Sequence, residues 1–458
     1  MRDLCKMQTM KETIYTYRHI ARIVIEAETP IAVGSGKSDI LTDSPVVRDI
    51  NGLPFIPGSS LAGVLRHASG IADDKKGIFG HHDSNGGEGS RLSVTDAAMI
   101  GAEGKAMDGL QPGIDWKGEF YKHFEDLPIR QHVKIGDKGT GVDGGKFDNE
   151  VVLRGTRFVF EMELVSDTAD EPMFSNALRQ LQDTAFRVGS GTRCGLGKVK
   201  VVSMKRRTLN LSVRNDLDAY LKKSSCLADS FDGADEELSV VTDSEWKKYV
   251  LKLKPLDFFS FGSGHGDDDV DDVPVTESIV SWKDGIPSVE TGKTLIPATS
   301  VKGALAHRTA YHYNKLRGLF AGNSEAKKGD DNPAVAAIFG KAGDGASADS
   351  ISRGNILLSD VHASEVKDKV LTHVKIDRFT GGTMRGALFN EKVLYGRGQE
   401  YTLEILVTKD ALSGANVREA FEASLHDVCD GLLPLGGGVN RGNGIFTGEL
   451  IIDDGKDR

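Results

Sequence analysis

Residues 43–66 read DSPVVRDINGLPFIPGSSLAGVLR, and the reading of this stretch decides the fold. Asn51-Gly52 is a turn dipeptide, and Leu53–Ile56 is a short apolar run suited to a strand. Pro57-Gly58-Ser59-Ser60 then opens a helix whose apolar residues Leu61, Val64 and Leu65 share one face. Ser59 or Ser60 is placed to cap that helix, and the free N–H groups of a helix start attract phosphate.

Outward from this stretch, the same grammar returns. LIPATSVKGALAHR (295–308) matches FIPGSSLAGVLRHA (55–68). Gly262-Ser263-Gly264 matches Gly34-Ser35-Gly36, and NILLSDV (355–361) matches RLSVTDA (91–97). HVKIDRFTGGTMRGALFNEKVL (373–394) aligns without a gap on HVKIGDKGTGVDGGKFDNEVVL (132–153), each reading as two strands joined by a glycine-rich tip. Gly436–Gly444 matches Gly189–Gly197. Collinear matches of this kind mark a tandem duplication. We therefore expect one domain over 1–203, a linker over 204–245 and a second domain over 246–458. Strands over 14–33 and 156–165 and an amphipathic helix over 173–187 make the class α+β. Residues 98–131 read as an irregular insertion, and the polar linker holds a short helix near Asp216–Lys223.

Composition narrows the function. The chain has 458 residues and a formal net charge of −10, which argues against indiscriminate nucleic-acid binding but leaves room for a local basic groove. With a mean hydropathy of −0.28 and no long apolar run, it carries no membrane span. The first residues lack the apolar core of a secretion signal. Four scattered cysteines without a CxxC point to a reducing compartment and away from structural zinc. Gly34-Ser35-Gly36-Lys37-Ser38 imitates a phosphate-binding loop, yet Ile31 stands where its first glycine belongs. His81 and His82 have no third metal ligand at a fitting spacing.

Basic residues gather beside the repeated features. In the first half these are Arg66, Lys134, Arg187, Arg193 and Lys198; in the second, Lys302, His307, Arg308, Lys375, Arg378, Arg385 and Arg441. Bases beside glycine turns suit a tracker of a nucleic-acid backbone. The second hairpin tip adds Phe379 and Met384, apolar groups that can wedge between bases, whereas the first tip, Gly139–Gly145, is mostly glycine and polar.

The paired PGSSL and PATSV helices, the glycine loops and the hairpins resemble the RAMP proteins of CRISPR systems. DSPVVRD ahead of PGSSL is similar to the type III backbone subunits, and two copies in one chain resemble the double backbone subunit of type III-D-like effectors. The resemblance implies two RRM-like (ferredoxin-like) domains, each with a protruding thumb hairpin. It implies guide-RNA contacts at Ser59, Ser60, Arg66, Lys134, Gly189, Gly191, Arg193, Lys198, Ser300, Lys302, Arg308, Lys375, Arg378, Phe379, Met384, Arg385, Asn440 and Arg441. It further implies a cytoplasmic assembly with guide RNA, complementary target RNA, further backbone subunits and a large polymerase/cyclase-like subunit. The family's catalytic aspartate falls on Asp43, which would cut target RNA with Mg²⁺ as metal ligand and positioning group. Its counterpart by letters is Glu277, without the Ser-Pro context, so the second half is expected to cut weakly or not at all. Two alternatives remain: a non-catalytic filament subunit, and a guide-precursor nuclease working through His132 or His67.

Overall fold

A computed structural model of the chain describes residues 15–38, 42–70, 77–83, 86–136, 139–239, 241, 245–320, 322–341, 351–363 and 366–453. Ile14, Cys5 and part of the first hairpin tip lie outside these residues. The first half runs β1 (Tyr17–Ala27), α1 (Gly58–Ala68), β2 (Leu92–Val94), β3 (Ile129–Ile135), β4 (Gly141–Glu150), β5 (Arg157–Ser166), α2 (Pro172–Gln180) and β6 (Val199–Asn210). Its main sheet has the antiparallel order β6-β1-β5-β2, with the two-residue strand Ala234–Asp235 on the edge of β6. β1 sits between two strands, so Ile20, Ala21, Ile23 and Ile25 are all fully buried. Leu61 and Leu65 of α1 and Phe174 and Leu178 of α2 fill the same core, as the apolar spacing predicts.

The second half repeats this plan: β7 (Trp246–Pro255), β8 (Thr276–Lys283), β9 (Ile286–Ile296), α4 (Ala298–Leu316), α5 (Pro333–Phe339), β10 (Ile356–Leu358), β11 (Lys367–Ile376), β12 (Thr383–Tyr395), β13 (Tyr401–Thr408), α6 (Val417–Cys429) and β14 (Phe446–Asp453). α3 (Arg214–Lys222) precedes it. The sheet order is β14-β7-β13-β10, the order of the first half again: last strand, first strand, then the two inner strands. Tyr249, Leu251, Ile405, Phe421 and Phe446 form its core.

Two sequence expectations change. β6 runs past 203 to Asn210 and pairs with β1 along its length, so the start of the supposed linker is sheet. Lys205, Arg206 and Arg207 gave that strand a polar reading, although its partner Ala21 is fully buried. Residues 98–131 also supply core: Phe124 is fully buried, and Ala98–Met99 pairs with β5.

The helix starts differ from expectation as well. Pro57 and Pro297 occupy the cap positions, and neither helix has a side-chain cap of its own. Ser59, Ser60 and Ser300 lie inside the first turn. The cap comes from afar: Asp96 Oδ1 accepts from the Gly58 amide and Asp360 Oδ1 from the Ala298 amide, each at 2.8 Å. Proline already holds the extended backbone that a cap residue needs, and a carboxylate is favourable at the positive end of a helix. A phosphate therefore cannot take that first amide without displacing a carboxylate.

Candidate functional site

Each half projects a hairpin of two strands. β3 and β4 pair His132 with Phe147, and β11 and β12 pair His373 with Phe389. The imidazole stacks on the phenyl ring in both, with centroids 4.8 and 4.9 Å apart. Pairing places Ile129 opposite Glu150 and Val370 opposite Lys392. The first strands therefore correspond at an offset of 241 and the second strands at 242, so the gapless alignment slips by one residue at the tip. Phe379 is 84% exposed and Leu388 65%. Phe379 is thus not packed on its parent domain, and Arg378 lies over its ring at 4.8 Å. The first hairpin also exposes apolar groups, Ile135 and Phe147 among them, which its glycine-rich tip had concealed from a reading of the letters.

Asp43 is exposed at the base of the first hairpin. Its Oδ2 accepts from the Asp148 amide at 3.1 Å, while its own amide donates to Asp148 Oδ1 at 2.8 Å. Thr42 Oγ1 also donates to Asp148 Oδ1, at 2.7 Å, and together with the Asp43 amide this holds the Asp148 carboxyl below its ordinary range. These reciprocal bonds fix the backbone of residues 42–44 against β4.

The same geometry in the second half does not involve Glu277. Gly34 bridges Val46, and Gly262 bridges Pro274. Ser35 N–H donates to Pro45 O and Ser263 N–H to Val273 O, both at 2.9 Å. Each pair is offset by 228 residues, and that offset carries Asp43 onto Asp271. Accordingly Asp271 Oδ2 accepts from the Asn390 amide at 2.8 Å, as Asp43 does from Asp148. The match of Asp43 to Glu277 is corrected: the Gly-Ser-Gly repeat held the right offset, and following it would have found Asp271.

Glu277 belongs to a buried ionic cluster between the halves. Arg130 of β3 donates to Glu277 Oε1 at 2.5 Å and Oε2 at 2.8 Å, and to Asp360 Oδ2 at 2.5 Å. His362 Nε2 lies 3.0 Å from Glu277 Oε2. Burial alone would raise the Glu277 carboxyl; the His362 hydrogen bond and the Arg130 guanidinium overcome it and draw it down to about 2. Burial wins at Asp360, whose carboxyl is raised despite Arg130. Charges this deep were missed from sequence, because the partners of Arg130 lie 147 and 230 positions away.

The glycine loops are stitched to the Gly-Ser-Gly arms. Ser190 N–H donates to Ala32 O and Gly437 N–H to Ser260 O, both at 2.7 Å. Gly189 and Gly436 have φ of +88° and +91°, and a Cβ would lie 2.5 and 2.3 Å from those same carbonyls, so only glycine fits. The first loop continues into the seam between the halves. A Cβ on Gly195 would lie 2.6 Å from both the Ala298 Cβ and Asp360 Oδ1. Arg193 Nε donates to Gly354 O at 2.8 Å, and its guanidinium lies over Trp246. Lys198 pairs with Glu28 and Glu404. The seam holds an open pocket of about 420 Å³ lined by His67, Arg187, Arg193, Trp246 and Arg353 among others. Burial lowers Arg187 and Arg193 to about 10 each.

The sequence-predicted binding residues thus separate. Lys134, Lys375, Arg378, Phe379, Met384 and Arg385 are exposed on the hairpins, Ser59 and Ser300 are exposed on the helix starts, and Asn440 is exposed on the second loop. Gly189, Gly191, Arg193 and Lys198 belong to the first loop, which runs into the seam, and burial lowers the amine of Lys302 beside Arg193 and Cys194. Arg308 is tied to Asp427, and Arg441 to Glu391. Arg66 stands in the last turn of α1.

The sequence pattern of the RAMP superfamily matches residues 24–200 and again 253–447. The chain belongs to the RAMP superfamily. This RAMP chain is also 31% identical, over 211 residues, to the CRISPR system Cms endoribonuclease Csm3 of Methanocaldococcus jannaschii, a match spanning 40% of the chain and 77% of the relative. The two matched segments coincide with the two repeats seen in the fold. Among the described residues, no three His, Cys, Asp or Glu side chains converge to hold a metal in this RAMP chain. Asp43 fits a looser role. Mg²⁺ is commonly held through one or two carboxylates, with substrate phosphates and water completing its shell. No helix among the described residues is long and apolar enough to cross a membrane.

Proposed function

We propose that the chain is a guide-RNA-binding backbone subunit of a type III CRISPR effector and that it cuts complementary target RNA at Asp43. The observation that carries this is the anchoring of an exposed carboxylate to the base of an exposed hairpin in a chain of two RAMP domains. The repeated strand order supports a ferredoxin-like core for each domain, and the exposed hairpins support the thumb assignment. The relative's description as an endoribonuclease supports RNA cleavage as the reaction class. Partners on this reading are guide RNA, target RNA and the other effector subunits, in the cytoplasm. The first loop docks on the start of α4, and the second-half counterpart of that loop leaves Asn440 exposed. A further backbone subunit would extend the filament through that loop.

In the reaction, the Asp43 carboxylate orients the target 2′-OH and accepts its proton. The 2′-oxygen attacks the adjacent phosphorus, the bond to the 5′-oxygen breaks, and that oxygen takes a proton from water. A bound Mg²⁺ would neutralise charge on the phosphate. The Asp148 bonds keep the carboxylate in one place, which suits a reaction governed by alignment. The deciding experiment incubates labelled target RNA with the assembled guide-bound complex, with Mg²⁺ or with EDTA, and maps the products. Cleavage in Mg²⁺ that stops in EDTA is expected. Cleavage that persists in EDTA points instead to His132 or His67, and intact RNA in both points to a structural subunit.

Guide and target RNA are held through the second hairpin on this reading. Replacing Lys375, Arg378 and Arg385 together by alanine should lower the slope of log affinity against log salt by about 2, as expected for three lost contacts to single-stranded phosphates. An unchanged slope across the salt series would remove the hairpin from the interface. Phe379→Ala with Met384→Ala should leave the neighbouring target bases stacked. A fluorescent adenine analogue in the target reports this: its signal should fall in the double variant, and an unchanged signal contradicts wedging.

A further inference from the structure

We propose that the segment Arg214–Phe231, between the halves, is a built-in cap. It covers the sheet face of the first half on which a second copy of this chain would dock, and so keeps copies from joining head to tail. The first half sits on the second through its glycine loop. Arg193 lies over Trp246 at 5.5 Å, and Lys198 Nζ stands 3.3 Å from Glu404. Trp246, Lys248 and Val250 form the outer face of β7, because Lys247, Tyr249 and Leu251 alternate with them and are buried. Glu404 shares that face: it lies opposite Val250 and pairs with Lys248 at 2.8 Å.

Repetition gives the first half the same face. The offset of 228 set by the Gly34–Val46 and Gly262–Pro274 bridges carries Trp246 onto Arg18 and Val250 onto Arg22. Arg22 lies opposite Glu161 of β5 as Val250 lies opposite Glu404 of β13, so Glu161 stands where Glu404 does. The glycine loop of a second copy's second half would land there. In this chain the linker already occupies the place, with contacts of the same kind. Lys223 Nζ is 2.5 Å from Glu161, repeating Lys198 on Glu404. The Tyr220 ring lies 5.7 Å from the Arg18 guanidinium, which repeats the pair of Arg193 and Trp246 with cation and ring exchanged. Tyr220 Oη also donates to Glu163 at 2.6 Å, and Arg22 donates to Asp229 O at 2.6 Å beneath the Phe231 ring. Leu227 is buried against Val159 of the same face. Under this cover Arg22 and Glu161 are only 8% and 6% exposed.

Competition favours the cap. The segment is tethered to β6 on one side and β7 on the other, so a second copy competes with a rival at an effective concentration of about millimolar. The incoming loop is also poorly equipped, since Asn440 and Ile445 stand where the first loop has Arg193 and Lys198. The exposed second loop is thereby left to a neighbour of different sequence.

Sedimentation velocity over a concentration series tests the cap without RNA, so its result is independent of the nuclease reading. The wild type should sediment as a single copy throughout. Asn440→Arg with Ile445→Lys gives the second loop the cations of the first, and this loop variant should also stay single because its landing face is covered. Adding Tyr220→Ala, Lys223→Ala and Phe231→Ala uncovers the face while keeping Leu227. That protein should form chains whose mass grows with concentration and which added salt shortens. A milder uncovering, Tyr220→Phe with Lys223→Ala in the same loop variant, keeps the apolar cover of the first-half core and should show the same growth at higher concentration. Thermal unfolding confirms that the proteins compared are folded. Chains formed by the wild type, or by the loop variant with its cap intact, overturn the proposal because the cap then excludes nothing. Folded, uncovered loop variants that stay single at every concentration overturn it as well, because the covered face is then no docking face.

Discussion

Asp43→Ala is expected to abolish the cut nearest the first half, by about 100- to 10,000-fold, while target RNA binds as tightly as to the wild type. The magnitude is that of a general acid–base group lost from a positioned site. The separation of cutting from binding follows from the geometry. Asp43 contributes no positive charge and no stacking surface, so it stabilises the transition state more than the bound duplex. Its removal costs little structurally. Asp43 is exposed, and the amide of residue 43 can still donate to Asp148 Oδ1 in the alanine variant. Asp43→Asn separates two roles of the side chain: it keeps an acceptor for the Asp148 amide and loses the base. The asparagine variant should therefore fail as completely as alanine in product mapping, and normal cutting by either variant would end the nuclease assignment.

The duplication was readable from letters alone. Hairpins, helices and glycine loops all recur within the regions that the repeat assigned. What the letters could not show was anything carried by long-range pairing. Asp96 and Asp360 cap helices that begin 38 positions before one and 62 before the other, so no local cap motif announces them. Ser59 and Ser60 looked like caps because serine commonly is one, yet proline already filled the position. Glu277 was matched to Asp43 by setting the run Glu277-Ser278-Ile279-Val280 against Asp43-Ser44-Pro45-Val46, whereas the fold honours the glycines that fix a backbone bridge. A side chain can drift along a loop, but the bridges at Gly34 and Gly262 are made by main-chain atoms, which hold register whatever acid stands nearby. The buried cluster was invisible for another reason. Arg130 and Glu277 each sit in a polar-looking strand, and only the docking of the halves removes them from water.

That docking makes Arg130 the residue whose loss should do most damage outside the cutting site. Arg130→Met leaves Glu277 and Asp360 buried together with their shared cation gone. Breaking a buried ionic group by removing one partner costs about 3–5 kcal/mol, because the stranded charge keeps its desolvation penalty. The variant should unfold at markedly lower denaturant concentration, and proteases should cut between the halves before either half is degraded. Adding Glu277→Gln should recover part of the loss, since it removes one of the stranded charges. The pH dependence has a definite sign. Glu277 is lowered in the fold from an ordinary 4.5 to about 2, so its stabilising contribution is complete above about 4.5 and disappears as pH falls toward 2. Asp360 is raised, so its ionisation opposes folding and its protonation on acidification offsets part of that loss. Denaturant midpoints measured between pH 4.5 and 2 should consequently fall less steeply in Glu277→Gln than in the wild type. Parallel curves for the two proteins would show that the cluster does not hold the halves together, and an Arg130→Met protein of wild-type stability would show the same at neutral pH.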